Sequence, residues 1–352
     1  MDSLDLTVVA AADDRNITIM ARRGSDIAVD SFPASTLAPF TDFRNRLERV
    51  IRGAEGPLTK AEVQAFGKNL FKSLASDLVQ PILGGLPKTP LSLSLLSNRP
   101  DVQAIPWEYL QEPGQAFGPS VHRCIVRVVP TVGVPTFKPA SLQQKIRVLF
   151  VSADPIDQGP VSWPDVKDAI ERRFSATLPP DRFVLDVIEG ASPKALASHV
   201  QNAPHYDIVH FSCHGDVANG EGRLILLDLK TRKSSPLTTT QLCNLLEGRG
   251  IRLVVLSACE TAAGDFASDF SVMADGLVRC GIPAVVANQF PVDDGSVAKF
   301  VGALYQELLQ SGDIDLAVSE GRVALAVELE SVIDWGIPTL YRHVNSSQVF
   351  AP

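Results

Sequence analysis

The second half of the chain alternates short apolar runs with longer segments whose apolar residues recur at helical spacing. The predicted strands span 146–152, 182–188, 206–211, 251–257 and 283–288. The predicted helices span 164–176, 193–202, 239–248, 268–280, 295–311 and 313–329, with a hairpin-like region at 222–237. Strands separated by helices of this length form parallel sheets with right-handed crossovers. We therefore predict an α/β sandwich with a mostly parallel central sheet flanked by helices.

The first half of the chain has a less regular pattern. The predicted elements are strands at 5–10, 16–21 and 26–32, helices at 38–53 and 59–79, and strands at 91–95 and 123–129. A connection that contains Pro and Gly follows, from 130 to 141. Such a connection is typical of a boundary between structural units. We predict two domains: an N-terminal α+β subdomain at 1–140, which packs on or docks for the rest, and a second domain at 141–352.

Composition and charge narrow the class of protein. With 352 residues, 45% hydrophobic and 20% charged, the chain has the profile of a globular protein with a sizeable core. The net charge of −8 argues against nucleic acid or an anionic membrane as a partner and suits basic substrates. The N-terminus lacks a secretory pattern and no apolar run is long enough to span a bilayer, so we predict a cytoplasmic location.

Two predicted strands end at residues that can carry out chemistry. His214 follows the strand at 206–211, and Cys259 follows the strand at 251–257. If these strands are parallel neighbours, both residues lie at their carboxyl ends, where α/β sheets bind ligands. A nearby imidazole activates a thiol, and Gly215 lets backbone N–H groups approach a developing oxyanion. The pattern indicates a thiol–imidazole dyad.

Other interpretations of these residues stay open. Cys259 is also compatible with a small buried hydrophobic residue, and His214 with a hydrogen-bonded turn histidine. Cys213 is a rival nucleophile, although its side chain should point to the opposite face from His214. The spacing of the cysteines and histidines does not match a zinc motif, so we predict neither a metal nor another cofactor. The five cysteines are widely spaced and odd in number, which argues against a disulfide framework.

Several segments together resemble the CHAT family, which comprises caspase-like cysteine peptidases related to separase. The segments, in chain order, are PWEYL at 106–110, His214-Gly215, LSACET at 256–261, ADGL at 274–277, GIPAVV at 281–286, FPVDD at 290–294 and WGIPTLY at 335–341. The ordered succession is far more specific than any single motif.

The resemblance implies roles for particular residues. His214 is implied as general acid and base and Cys259 as nucleophile, with the backbone N–H groups of Gly215 and Cys259 as the oxyanion hole. Asp294, or as second choice Asp293, falls where relatives place the carboxylate that binds a basic P1 side chain. The competing interpretation is that this Asp-Asp pair caps a helix. Asp265 is a further candidate for acidity in the cleft, and a solvated loop is its plain alternative.

The function implied is a cysteine endopeptidase (thiol protease) that cleaves protein substrates after Arg or Lys. Bacterial members of the family act in antiviral defence and cell death, and some cleave a gasdermin, so the resemblance implies a gasdermin-like substrate and a regulatory protein partner. The basic segment 230–235 is a candidate processing site, or a solvated hairpin tip. Two alternatives stay open: a non-catalytic caspase-like scaffold that binds a partner through the same cleft, and a hydrolase or transferase of small molecules.

Overall fold

The computed structural model covers most of the chain. It describes residues 2–10, 15–74, 77–83, 91–97, 99–112, 114, 118–121, 123–130, 137–202, 205–257, 271–292, 294–328, 332–344 and 346–351.

Strands and short or long helices alternate through these residues. The strands are β1 Asp2–Ala10, β2 Asn16–Arg23, β3 Asp26–Pro33, β4 Leu91–Ser97, β5 Arg123–Val128, β6 Ala140–Ser141, β7 Ile146–Ser152, β8 Phe183–Ile188, β9 Ile208–Ser212, β10 His214–Ala218, β11 Glu221–Leu227, β12 Ser234–Thr238, β13 Leu253–Ser257, β14 Ala284–Asn288, β15 Pro338–Arg342 and β16 Phe350–Ala351. The α-helices are α1 Ala38–Ile51, α2 Lys60–Leu74, α3 Gln80–Leu83, α4 Pro100–Gln103, α5 Trp163–Thr177, α6 Pro193–Asn202, α7 Thr239–Leu246, α8 Ser271–Arg279, α9 Asp294–Ser311 and α10 Ile314–Glu328.

Within the described residues, eleven strands form one sheet. Their order is β3-β2-β1-β4-β5-β15-β14-β13-β9-β7-β8. The pairs from β8 across to β14 are parallel, β15 is antiparallel to β14, and the first three strands form an antiparallel edge. The central strands β7, β13 and β14 are almost entirely buried runs of branched residues, which parallel strands need when helices cover both faces. The predicted α/β fold with a mostly parallel central sheet is confirmed.

Helices cover the central strands on both sides. On one face α5, α9 and α10 pack together, and Phe174, Tyr305 and Val318 lie in the main core. On the other face α6, α7 and α8 contribute Leu196, Leu242 and Leu277 to a second core. Side chains along each strand alternate between these two cores, as the pleat of a strand requires.

The small antiparallel sheet differs from its prediction. We expected a hairpin at 222–237, whereas β10, β11 and β12 form three strands that begin at His214. The chain breaks pairing at Cys213 and starts a new strand at His214, so the predicted strand-end histidine is the first residue of a second sheet. This short break turns the chain away from the central sheet at the edge where the candidate residues lie.

Buried charges join the front of the chain to the second half. Arg127 on β5 pairs with Glu108 at 2.9 Å, and Gln289, just after β14, donates to the same carboxylate at 2.8 Å. β5 also pairs with β15 in parallel. The central sheet therefore contains strands from both sides of the predicted domain boundary at residue 140. The division into domains at 1–140 and 141–352 stays a prediction. In the described ranges, no helix is long and apolar enough to cross a membrane.

Candidate active site

Three neighbouring strands of the central sheet end at serine. Ser152, Ser212 and Ser257 close β7, β9 and β13, and the register places Ser152 beside Ser212 and Ser212 beside Ser257. All three side chains are buried, and within the described residues the Oγ atoms of Ser152 and Ser212 have no hydrogen-bond partner. Buried hydroxyls without partners are uncommon in folded proteins and call for a functional or solvent-related explanation. The carboxyl ends of these strands are therefore polar, and His214 follows at this same edge of the sheet.

His214 lies two residues beyond Ser212, at this polar edge. Its side chain is buried, and Nε2 lies 2.8 Å from the carbonyl oxygen of Gly159, in the connection after β7. A carbonyl oxygen can only accept a hydrogen bond, so Nε2 carries the proton and donates. In the neutral imidazole, Nδ1 is then the acceptor. A histidine held in this tautomer can take a proton from a thiol at Nδ1, with the Gly159 carbonyl as its orienting third group.

The remaining predicted residues differ in how far the structure places them. Cys259, Asp265 and Asp293 lie outside the described residues. Asp294 begins α9, and its side chain lies outside the described part. Gly215 is the second residue of β10, where it pairs with Leu224 of β11.

Cys213, the rival nucleophile, points into the second core. Its side chain is 1% exposed and packs in the core formed with α6, α7 and α8. Burial raises the pKa of its thiol to about 12. A thiol that stays protonated at neutral pH is a poor nucleophile, so the structure favours a structural role for Cys213.

A chain of buried hydrogen bonds runs under the site on the face covered by α9. His210 Nδ1 lies 3.0 Å from the hydroxyl of Tyr305, and its Nε2 lies 2.8 Å from Ser257 Oγ. His210 and Tyr305 are fully buried. Ser257 is the last residue of β13 and comes two residues before Cys259 in the sequence. The hydrogen bonds among Tyr305, His210 and Ser257 therefore fix the end of β13, after which the segment with the candidate nucleophile follows. The sequence analysis did not predict that His210 supports the end of β13. The signal available in the sequence was a histidine within an apolar strand.

His210 should make stability depend on pH. Burial lowers its pKa from 6.5 to about 3, so between these values the unfolded chain binds a proton that the folded chain does not. The free energy of unfolding should therefore fall as pH drops below 6.5, by about 1.4 kcal/mol per pH unit. In urea unfolding at pH 8 and pH 5, the loss in the wild type should exceed that in His210→Gln by about 2 kcal/mol. An unchanged pH dependence in His210→Gln would contradict the prediction.

A pocket opens beside Ser257, at the carboxyl ends of β13 and β14. Its volume is about 280 Å³ when the open solvent at its mouth is included, and its enclosed part has room for about one water molecule. The walls are mostly apolar, with three polar residues, and are formed by Val255, Leu256, Ser257, Val286, Asn288, Val292, Ser296, Val297, Phe300, Leu325 and Pro338. Because Ser296 and Val297 belong to the first turn of α9, the pocket lies next to the start of that helix.

The candidate processing segment lies in the turn between β11 and β12. Its backbone is tied to the connection after β7, since Ile156 N–H donates to the Arg232 carbonyl at 2.9 Å and Ser234 N–H donates to Asp157 at 2.8 Å. Arg232 has a positive φ of 61° and is exposed. Arg232 is therefore accessible to solvent. The turn is hydrogen-bonded to Ile156 and Asp157, which come three and two residues before Gly159. Cleavage at this segment stays a prediction.

A comparison with the sequence profiles of protein families gives a match over most of the chain. The sequence profile of the CHAT domain matches residues 64–343, which is most of the chain. The chain belongs to the CHAT domain family. The resemblance to this family is thus confirmed, and the match includes His214, the strand that precedes Cys259, and the start of α9. A search of curated proteins finds no match to the CHAT chain.

Two solved structures are similar to the CHAT chain. The first is the Arg specific cysteine proteinase gingipain R, with 12% identity and a TM-score of 0.47 over 99% of this chain and 78% of that one. The second is separase of Saccharomyces cerevisiae in complex with securin, with 11% identity and a TM-score of 0.49 over 97% of this chain. This chain spans 30% of the separase chain. In the described part of the CHAT chain, no group of three or more His, Cys, Asp or Glu side chains is arranged to hold a metal ion.

Proposed function

We propose that this CHAT protein is a cysteine endopeptidase that cleaves protein substrates after Arg or Lys, with His214 and Cys259 as its dyad. The observation that carries the proposal is the hydrogen bond from His214 Nε2 to Gly159 at the carboxyl edge of the sheet. β9 and β13 are parallel, with Ser212 beside Ser257. His214 and Cys259 each follow their serine by two residues, and two residues span at most about 7 Å. This equal spacing from two adjacent serines supports the pairing of His214 with Cys259.

The reaction begins with proton transfer from the Cys259 thiol to Nδ1 of His214. The thiolate attacks the scissile carbonyl carbon, and the carbonyl oxygen becomes an oxyanion. In this proposal the backbone N–H groups of Gly215 and Cys259 stabilise the oxyanion. His214 then gives its proton to the leaving amine, which leaves a thioester on Cys259. Water, activated by His214, hydrolyses the thioester and restores the thiol.

The pocket beside Ser257 is the proposed site for the P1 side chain, and binding of Arg or Lys would have to widen its enclosed part. Apolar walls such as Val286, Val297 and Phe300 suit the methylene stem of Arg or Lys, which packs on apolar surface while its charged end seeks a partner. α9 starts at Asp294, two residues before the pocket residue Ser296. A carboxylate at that position would pair with the charged end of the substrate. Asp294 is therefore the proposed specificity residue, with Asp293 as the second choice and Asp265 as a further source of acidity.

The biological role, the natural substrate, the partner and the cellular location stay predictions. A role in bacterial antiviral defence, a gasdermin-like substrate, a regulatory partner and a cytoplasmic location are expected from the family resemblance and the sequence. The test of the enzymatic proposal does not depend on any of them.

Four fluorogenic peptides that differ only at P1, with Arg, Lys, Asp or Ala, test the specificity. The wild type should turn over the Arg and Lys peptides with kcat/KM about 10²-fold or more above the Asp and Ala peptides. Asp294→Asn should lower kcat/KM on the Arg peptide by about 10²-fold because the charge partner is lost, and change the Ala peptide little.

Thermal unfolding of Asp294→Asn separates specificity from helix stability. Asp294 is the first residue of α9 and not its N-cap, so asparagine removes only the favourable charge in the first turn, and the variant should unfold within a few degrees of the wild type. Equal loss on the Arg and Ala peptides would remove Asp294 from the pocket. Absence of turnover on all four peptides, together with an unreactive Cys259, would favour the non-catalytic scaffold.

A further inference from the structure

Two cysteines outside the candidate site lie against each other on neighbouring helices. Cys243 is on α7 and Cys280 directly follows α8, and both side chains are partly exposed. Cys243 Sγ lies 3.6 Å from the Gly276 carbonyl oxygen, which also accepts the backbone N–H of Cys280 at 3.0 Å. Cys280 Sγ lies 3.1 Å from the carbonyl oxygen of Leu277, so the two thiols lie at consecutive carbonyls of α8. The pair is separated by 37 positions in the sequence, and only the packing of the two helices brings it together.

A close approach between α7 and α8 creates this contact. A Cβ atom at Gly276 would lie 2.6 Å from Cγ2 of Thr239, at the first turn of α7. Any residue larger than glycine would therefore push the helices apart. Thr239 is itself held in place, since its hydroxyl donates to the Gly222 carbonyl at 2.8 Å. The start of α7 is further fixed by a capping box between Thr238 and Gln241.

We propose that Cys243 and Cys280 form a redox-active dithiol, which low-molecular-weight disulfides oxidise to an internal disulfide between α7 and α8. The Cys243 thiolate attacks one sulfur of the small disulfide, whose S–S bond breaks and releases one thiol. Cys280 gives up its proton and attacks Sγ of Cys243, which expels the second small thiol. The protein loses two protons and two electrons, and one small disulfide becomes two thiols.

The environment assigns the order of the two thiols. Hydrogen bonding from Cys280 lowers the pKa of Cys243, against the opposing effects of burial and of Glu247 and Glu221. The same contact, together with burial, raises the pKa of Cys280. Cys243 is thus the attacking thiol and Cys280 the resolving one. The buried thiols of Cys124 and Cys213 have pKa values raised to about 12, which makes them inert toward the same oxidant.

The location gives the disulfide a consequence for the fold. α7 spans Thr239–Leu246 and α8 spans Ser271–Arg279, and the two helices pack against each other. The disulfide would fix these two helices to each other. The dithiol itself does not rest on the proposed peptidase function.

The test uses the full chain with Cys259→Ser, so that the proposed nucleophile does not compete for oxidant. The protein is equilibrated in mixtures of reduced and oxidised glutathione, remaining thiols are blocked with N-ethylmaleimide, and peptides are mapped by mass spectrometry. The Cys243–Cys280 linked peptide should rise from under about a tenth to over about nine-tenths of the protein across the series. Alkylation of both thiols in every mixture, or a lasting glutathione adduct on Cys243, would overturn the proposal.

Matched variants test the geometry. Gly276→Ala should lower the equilibrium constant for disulfide formation by about tenfold, because the added methyl group separates the helices. The double variant Gly276→Ala with Thr239→Ser removes the clashing methyl group, keeps the hydroxyl, and should restore most of the loss. Cys124→Ser should leave the equilibrium unchanged. An equilibrium constant insensitive to Gly276→Ala would contradict the role of the close approach.

Discussion

Replacing Cys259 by alanine is expected to reduce kcat/KM on an Arg peptide by about 10³-fold or more, because the nucleophile is lost. His214→Ala should cause a loss of similar size, since the thiol then lacks its proton acceptor. The double variant should be little worse than either single one, because the two groups act as a unit. The measurement is steady-state turnover of each purified variant on the best P1 peptide.

Two neighbouring residues supply the controls for this prediction. Cys213→Ala removes a thiol adjacent to His214 that is buried in the second core, and turnover should stay within about threefold of the wild type if the protein folds. Tyr305→Phe removes the hydroxyl that contacts His210 without touching the dyad, and should affect turnover much less than His214→Ala. Loss of activity in Cys213→Ala with retention in Cys259→Ala would reverse the assignment of the nucleophile.

Asp315→Asn is expected to lower the free energy of unfolding by about 3 kcal/mol or more, because the buried charge of Arg342 loses the carboxylate with which it pairs. Asp315 accepts two hydrogen bonds from Arg342, each 2.7 Å long, and a third from Ser92 on β4. Side-chain exposure is 0% for Asp315 and 5% for Arg342. The pair joins α10, β15 and the front of the sheet, so its loss affects the whole fold. Urea unfolding of the two proteins measures the difference.

An exposed pair and an apolar replacement are the matched controls. Glu55→Gln breaks exposed pairs with Arg46 and Arg49, and should lower the free energy of unfolding much less than Asp315→Asn does. The double replacement Asp315→Leu with Arg342→Met should be more stable than Asp315→Asn, because it leaves no buried charge unpaired. Equal unfolding free energies for wild type and Asp315→Asn would show that solvent reaches Arg342.

The sequence predicted the parts of this fold that depend on local periodicity. β7, β8 and β14 begin and end within one residue of their predicted bounds, because continuous branched runs and amphipathic helices are local signals. The bounds of the small antiparallel sheet were wrong because one buried residue, Cys213, separates two strands and leaves no turn signal.

Contacts between distant residues could not be predicted. Gly159 accepts a hydrogen bond from a histidine 55 positions later, and Tyr305 reaches His210 across 95 positions. Such partners depend on how helices and connections pack on the sheet, and neither glycine carbonyls nor core tyrosines carry a sequence pattern for that role. The buried Glu108 likewise lies in a motif noted for its family resemblance, yet its pairing with Arg127 and Gln289 emerges only in the fold.

The most direct measurement is covalent labelling with an arginine chloromethyl ketone, followed by peptide mapping. The account predicts one adduct per chain, on Cys259, with labelling strongly slowed in His214→Ala and in Asp294→Asn. It also predicts that Cys243 and Cys280 react much more slowly than Cys259 at the same reagent concentration. An adduct at another cysteine, or a Cys259 that reacts no faster than those two thiols, would contradict the assignment of the dyad.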